Sequence, residues 1–177
     1  MMEIYASQFG MPQRSVFLSF SGVITGIDAT GNRGRRFGGC SRMITVENES
    51  GNVVNFFVNA GTFVVDYITL FEGLFVTVFY DGNAAAPLIY PPQYTAAVIA
   101  PRMEGQMVFV GRFNNALLSS DRSLKLNLAP STTVVTQNNQ TFSGNPGGNV
   151  LVVLYSRTTR SIPPQTTPEK VIVLCGQ

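Results

Sequence analysis

The sequence predicts an all-β protein made of two tandem five-stranded units preceded by an extended N-terminal arm. Three observations predict it. The apolar fraction, 45% of 177 residues, is dominated by β-branched and aromatic types, with 20 Val and 13 Phe, which pack well on a pleated surface. These residues come in short segments punctuated by Gly, Asn, Asp and Pro, and no segment sustains the 3.6-residue period of an amphipathic helix. The second half of the chain echoes the first in the same order, as an internal repeat does.

Residues 1–15 have no counterpart in the repeat. Their apolar character rests on Ile4, Tyr5 and Phe9, and such a segment reads either as a disordered tail or as a strand that adds to the sheet edge of another subunit. The first unit, 16–101, opens with a long strand over 16–28. An Arg/Gly-rich insert, 29–41, follows, and then strands over 42–47, 53–59, 74–80 and 94–100. The second unit, 105–177, has strands over 107–114, 123–129, 150–155 and 170–175.

The repeat is carried by ordered landmarks. Val54, Phe56 and Val58 match Leu124, Leu126 and Leu128 at a shift of 70, and Thr62 matches Thr132. Val64-Val65 meets Val134-Val135, and Phe71-x-Gly73 meets Phe142-x-Gly144. Val76 to Tyr80 matches Leu151 to Tyr155 at 75, and Pro91-Pro92-Gln93 returns as Pro163-Pro164-Gln165 at 72. A glycine just ahead of a Val-x-Val strand resembles the OB-type barrel, where a tight turn admits the fourth strand. The units are therefore expected to be OB-like five-stranded barrels or sandwiches. That likeness is one of architecture and carries no activity with it.

The insert separates the copies. Arg33, Arg35, Arg36 and Arg42 place four of ten Arg within ten residues, beside Phe37. Guanidinium groups bind phosphates and a Phe offers a stacking face, so one reading is contact with a single-stranded nucleic acid or an anionic polysaccharide. A solvated loop and a subunit contact are the other two. The strands that would form a stacking platform hold no Trp and little Arg or Lys, which weakens the nucleic-acid reading.

Charge narrows the function classes. Asp, Glu, Lys and Arg make up 12% of the chain, about half the usual share, while Asn, Gln, Ser and Thr number 49. With no His, the commonest general base and zinc ligand are missing. The acids are dispersed, so neither a glycosidase pair nor a hard-cation cluster is expected. The chain is read as a non-enzyme that takes no cofactor. Low charge also reduces repulsion between copies, and strands rich in Val and Thr with few Lys invite edge pairing.

Cys40 and Cys175 belong to no metal-binding spacing and admit an internal disulfide, intermolecular disulfides or free thiols. The position of Cys175 near the end favours a cross-link to a neighbour. The N-terminus carries Glu3 and lacks the apolar core of a secretory signal. No apolar run reaches the ~18 residues of a membrane-spanning helix, so no membrane insertion is expected.

The segments Pro87-Leu88-Ile89-Tyr90-Pro91-Pro92-Gln93-Tyr94 and Ser161-Ile162-Pro163-Pro164-Gln165 resemble uncharacterised tandem β-barrel proteins of spore-forming Gram-positive bacteria. In layout the chain resembles endospore-appendage subunits, which are small β proteins with an N-terminal connector and cysteine cross-links. It departs from them in having two β units and no Cys in the arm. The resemblance implies a homopolymer assembled at the spore or cell surface without Sec export. The expected function is a structural, self-assembling subunit of an extracellular fibre or layer. The alternative is a cytoplasmic OB-type binding module that uses the Arg-rich insert.

Overall fold

The computed structural model describes residues 16–29 and 39–176. Twelve strands account for its regular structure, and a single 3-10 turn, Val65–Tyr67, is the only helical piece among the described residues. In the first half the strands are β1 (Phe17–Ala29), β2 (Arg42–Glu47), β3 (Val53–Val58), β4 (Phe63–Val64), β5 (Phe75–Asp81) and β6 (Gln93–Pro101). The second half contributes β7 (Met107–Arg112), β8 (Lys125–Leu126), β9 (Thr133–Thr136), β10 (Val150–Tyr155), β11 (Gln165–Thr166) and β12 (Lys170–Leu174). Strand β2 alternates as a one-sided strand should, burying Ile44 and Val46 and exposing Arg42 and Glu47. By contrast β10 is buried at five consecutive positions, because both its faces meet apolar layers.

In the first half β1 pairs with β2 and β2 with β3, all antiparallel; β3 runs parallel to β6, and β6 and β1 both pair antiparallel with β5. Each of these five strands therefore has two partners within the set. Strand β1 serves both sides of this circuit, pairing with β5 over residues 17–23 and with β2 over 23–29. Where the partners change, a Cβ on Gly22 would stand 2.3 Å from the Glu47 carbonyl oxygen, so only glycine fits that crossing.

The second half repeats the hydrogen bonds of the first. Asn55 pairs with Gln93 as Lys125 pairs with Gln165, and Phe63 pairs with Val98 as Thr133 pairs with Lys170. The Asn55 amide donates to Pro92 O at 2.9 Å, and that of Lys125 to Pro164 O at 3.0 Å. The hydroxyls of Thr62 and Thr132 donate to the carbonyls of Ala96 and Pro168, both at 2.7 Å. One strand of each pair has moved by 70 positions and its partner by 72, as the sequence landmarks require.

Two expectations are corrected. The counterpart of Gly73 is Gly148 and not Gly144. The Gly73 amide donates to Ile24 O while the Ile24 amide donates to Leu74 O, and Gly148, Phe113 and Asn149 reproduce this geometry. Both glycines hold positive φ, 95° and 82°. The second connection is five residues longer, 13 positions from Val135 to Gly148 against 8 from Val65 to Gly73, so the Phe-x-Gly match selects an earlier turn. The strand expected over 123–129 is only Lys125–Leu126. Asn114 Oδ1 accepts the amides of Ala116 and Leu118, and Ser119 Oγ accepts those of Ser123 and Leu124. These side-chain acceptors take backbone donors that a ladder would otherwise use. What remains is two isolated bridges, Phe113 with Ser119 and Leu118 with Lys125.

Three apolar clusters form the interior. One lies within the first half, around Ile24, Ile44, Phe56 and Val78; a second lies within the second half, around Phe113, Leu126, Leu151 and Val173. The third is shared, and its members come from equivalent positions: Val65 with Val135, Phe79 with Leu154, and Ala100 with Ile172. The halves therefore pack through the same face, as the two copies of an isologous dimer do.

Candidate assembly surfaces

Of the residues singled out from the sequence, Cys40, Arg42 and Cys175 fall within the described structure. Cys40 sits in the turn at the base of the insert, two residues ahead of exposed Arg42, which opens β2 in register with Val58. Cys175 follows the last residue of β12. Both thiols are exposed and free, with no internal disulfide between them. Ile4, Tyr5 and Phe9 of the arm lie outside the described residues, as do Arg33, Arg35, Arg36 and Phe37 of the insert.

The structure adds a feature the sequence did not single out, the open edge of β7. All six of its residues pair with β10 on one side. On the other side, among the described residues, the backbone bonds are those of Ser120, whose amide donates to Arg112 O at 2.8 Å. The Phe113 amide points toward Asn149, on the β10 side. By the alternation of an antiparallel ladder, Val108 and Val110 then turn their N–H and C=O groups toward the open side. Val110 is only 5% exposed, so its groups have little access to water, whereas Val108 is half-buried.

A cleft of about 280 Å³ runs along this edge, lined by Phe109, Val110, Gly111 and Arg112 of β7, by Val16 and Phe17, and by Ser119 to Asp121. Four consecutive residues of one strand can line a single cleft only when it faces the strand's edge, because successive side chains point to opposite faces. The far wall is fixed by a small network. The hydroxyls of Ser119 and Ser123 each donate to Asp121 Oδ1 at 2.7 Å, joined by the Ser123 amide at 3.0 Å. Burial works against the Asp121 charge, but these hydrogen bonds outweigh it and hold the carboxyl below its ordinary range.

Among the described residues, positions 17–22 of β1 show the same one-sided pairing, with β5 alone. Two loop tips are strongly apolar. Leu88 and Tyr90 are 104% and 81% exposed, and Ile162, at the position equivalent to Tyr90, is 100% exposed. The bond to the following proline is cis in both loops. Behind the first tip, Tyr80 stacks on Tyr94 at 4.3 Å between ring centroids. Burial and the neighbouring Tyr94 push the Tyr80 hydroxyl above its usual range, and burial does the same for Tyr155. The duplicated Pro-Pro-Gln marked these loops in the sequence, whereas the β7 edge had no signal beyond a Val-rich segment.

Among the described residues no group of three or more His, Cys, Asp or Glu side chains gathers where a metal ion would bind. Among the same residues no helix is long and apolar enough to cross a membrane. What the described surface does present is strand edge that no described strand pairs with, exposed apolar loop tips and two free thiols. No family model, curated protein or solved structure matches this chain.

Proposed function

We propose that this chain is a structural subunit that assembles with copies of itself through its strand edges. In this reading residues 16–101 and 105–177 are two OB-like β-barrel units in tandem. The assembly is an extracellular or spore- or cell-surface fibre or layer, and Cys40 and Cys175 link neighbouring subunits. One observation carries the proposal: β7 has a complete partner on one side and, on the other, no strand among the described residues, although the backbone groups of buried Val110 turn that way. Buried backbone N–H and C=O groups are almost always satisfied, and a row of them on a strand edge is a template for another strand. The sparse charge of the chain, net +2 with 22 ionisable side chains of the Asp, Glu, Lys and Arg types, offers little repulsion against stacking copies.

Size-exclusion chromatography with electron microscopy of the purified full-length protein tests the proposal. Elongated or sheet-like assemblies are expected, shifting with concentration. Monodisperse ~19 kDa particles at every concentration, with and without reductant, would overturn it.

A further inference from the structure

The self-assembly reading leaves open what occupies the edge of β7, and the cleft beside that strand supplies an answer. The cleft has the shape of a strand site: one wall is a strand edge, one end is Val16 and Phe17, and the far side is Ser119 to Asp121. Its apolar lining comes from Phe17, Phe109 and Val110, and its polar lining from the two serines. An extended peptide meets both needs, with backbone groups for Val110 and, beyond the cleft, for Val108, and alternate side chains for the apolar wall.

The chain carries such a peptide. Residues 1–15 lie outside the described structure and end at Val16, which is itself part of the cleft wall. Six residues of β7 offer about 20 Å of edge at ~3.3 Å per residue. Fifteen residues reach up to ~50 Å when extended, enough to cover that edge and still cross to another molecule. The segment carries Ile4, Tyr5 and Phe9 with a single acid, Glu3, and a single base, Arg14, so it enters an apolar cleft with little charge to desolvate. The Val16 carbonyl accepts the Gly82 amide at 2.8 Å, keeping Val16 in line with β1 and β5.

We infer that the cleft along β7 is the receptor for residues 1–15 of a neighbouring copy, which add to β7 as a further strand. This inference rests on the self-assembly reading and names the contact that drives it.

The test uses full-length chains with Cys40→Ser and Cys175→Ser. One version carries Ala6→Cys in the arm and the other Ser120→Cys on the cleft wall, a change that keeps the Ser120 backbone bond to Arg112. The two are mixed and treated with a short bifunctional maleimide. The expected product is a dimer joining one chain of each kind, in at least tenfold excess over dimers of like chains. In parallel, Val108→Pro removes an outward N–H without touching the β10 ladder, a position at which proline is tolerated. It is expected to weaken self-association at least tenfold while the circular dichroism spectrum stays native.

Absence of the mixed dimer overturns the inference, and so does a chain carrying both cysteines that cross-links only within itself. If assemblies persist without the mixed dimer, the arm contact is wrong and self-assembly stands; if no assemblies form, both fail. Should Val108→Pro not fold, the cross-link still decides the matter.

Discussion

The hydroxyl of Tyr67 donates to the backbone carbonyl of Gln137, the residue seventy positions on that holds its own place in the second half of the chain. Equivalent residues meet only near a twofold axis, and Val65 with Val135 and Asp66 with Thr136 line the same small cleft. The two halves are thus related by an approximate twofold that passes beside Tyr67. Replacing Tyr67 by Phe removes the donor and leaves a carbonyl that water can reach, because Tyr67 is 59% exposed. A loss of about 0.5–1 kcal/mol is expected, near the low end for a hydrogen bond, read as a small fall in the urea midpoint with an unchanged slope.

The shared apolar cluster predicts that the halves unfold together. Leu154 is 3% exposed within it, and Leu154→Ala is expected to cost about 2–5 kcal/mol. Calorimetry of both wild type and variant should show one transition, shifted down as a whole in the variant. Two resolved transitions, only one of which moves, would mean the halves are stable separately.

Much of this architecture was legible in the chain because a β repeat leaves marks at fixed offsets. Pro91-Pro92-Gln93 and Pro163-Pro164-Gln165 lead into β6 and β11, and Thr62 and Thr132 cap equivalent turns with the same hydrogen bond. What escaped was decided by side-chain acceptors and pairing. Asn114 and Ser119 consume backbone donors and cut β8 to two residues. Strands β4 and β11, also of two residues each, are too short to show a period. The β7 edge was invisible for a different reason. Its residues look like any Val-rich strand, and only the pairing in three dimensions shows that one side carries no strand among the described residues.

Acidity acts on the far wall of the cleft. The Asp121 carboxyl is held below its ordinary value, so its hydrogen bonds contribute stability that is present above the unfolded carboxylate pKa of about 3.9. That contribution disappears as pH falls through the lower folded value. Asp121→Asn should lower the melting temperature at neutral pH and flatten the acid limb of a thermal-melt series below about pH 4. An acid limb of unchanged slope would show that the Ser119 and Ser123 bonds do not favour the charge.

At the alkaline end the sign reverses. Tyr80 and Tyr155 have hydroxyls raised by burial, so the folded state disfavours the phenolates. Stability is full below the ordinary tyrosine value of about 10 and falls as pH rises through the interval up to the folded values. Tyr80→Phe and Tyr155→Phe should each reduce that alkaline loss, measured by melting between about pH 9 and 11. No change in either variant would place the titrating groups elsewhere.

The Arg-rich insert and the strand edges make opposite demands on a charge deletion. If assembly runs through β7, changing Arg33, Arg35, Arg36 and Arg42 to Ser leaves the size distribution within about twofold of wild type, because backbone pairing and apolar contact do not depend on those cations. Raising salt should not disperse the assemblies either. A polyelectrolyte contact behaves differently, with affinity falling steeply as salt rises and each phosphate contact adding to the slope. Titrating single-stranded DNA and a sulfated polysaccharide into wild type and the quadruple variant at two salt concentrations separates the two. Salt-sensitive binding that vanishes in the variant, together with unaltered monomers, would make the insert the working surface and the open edge incidental.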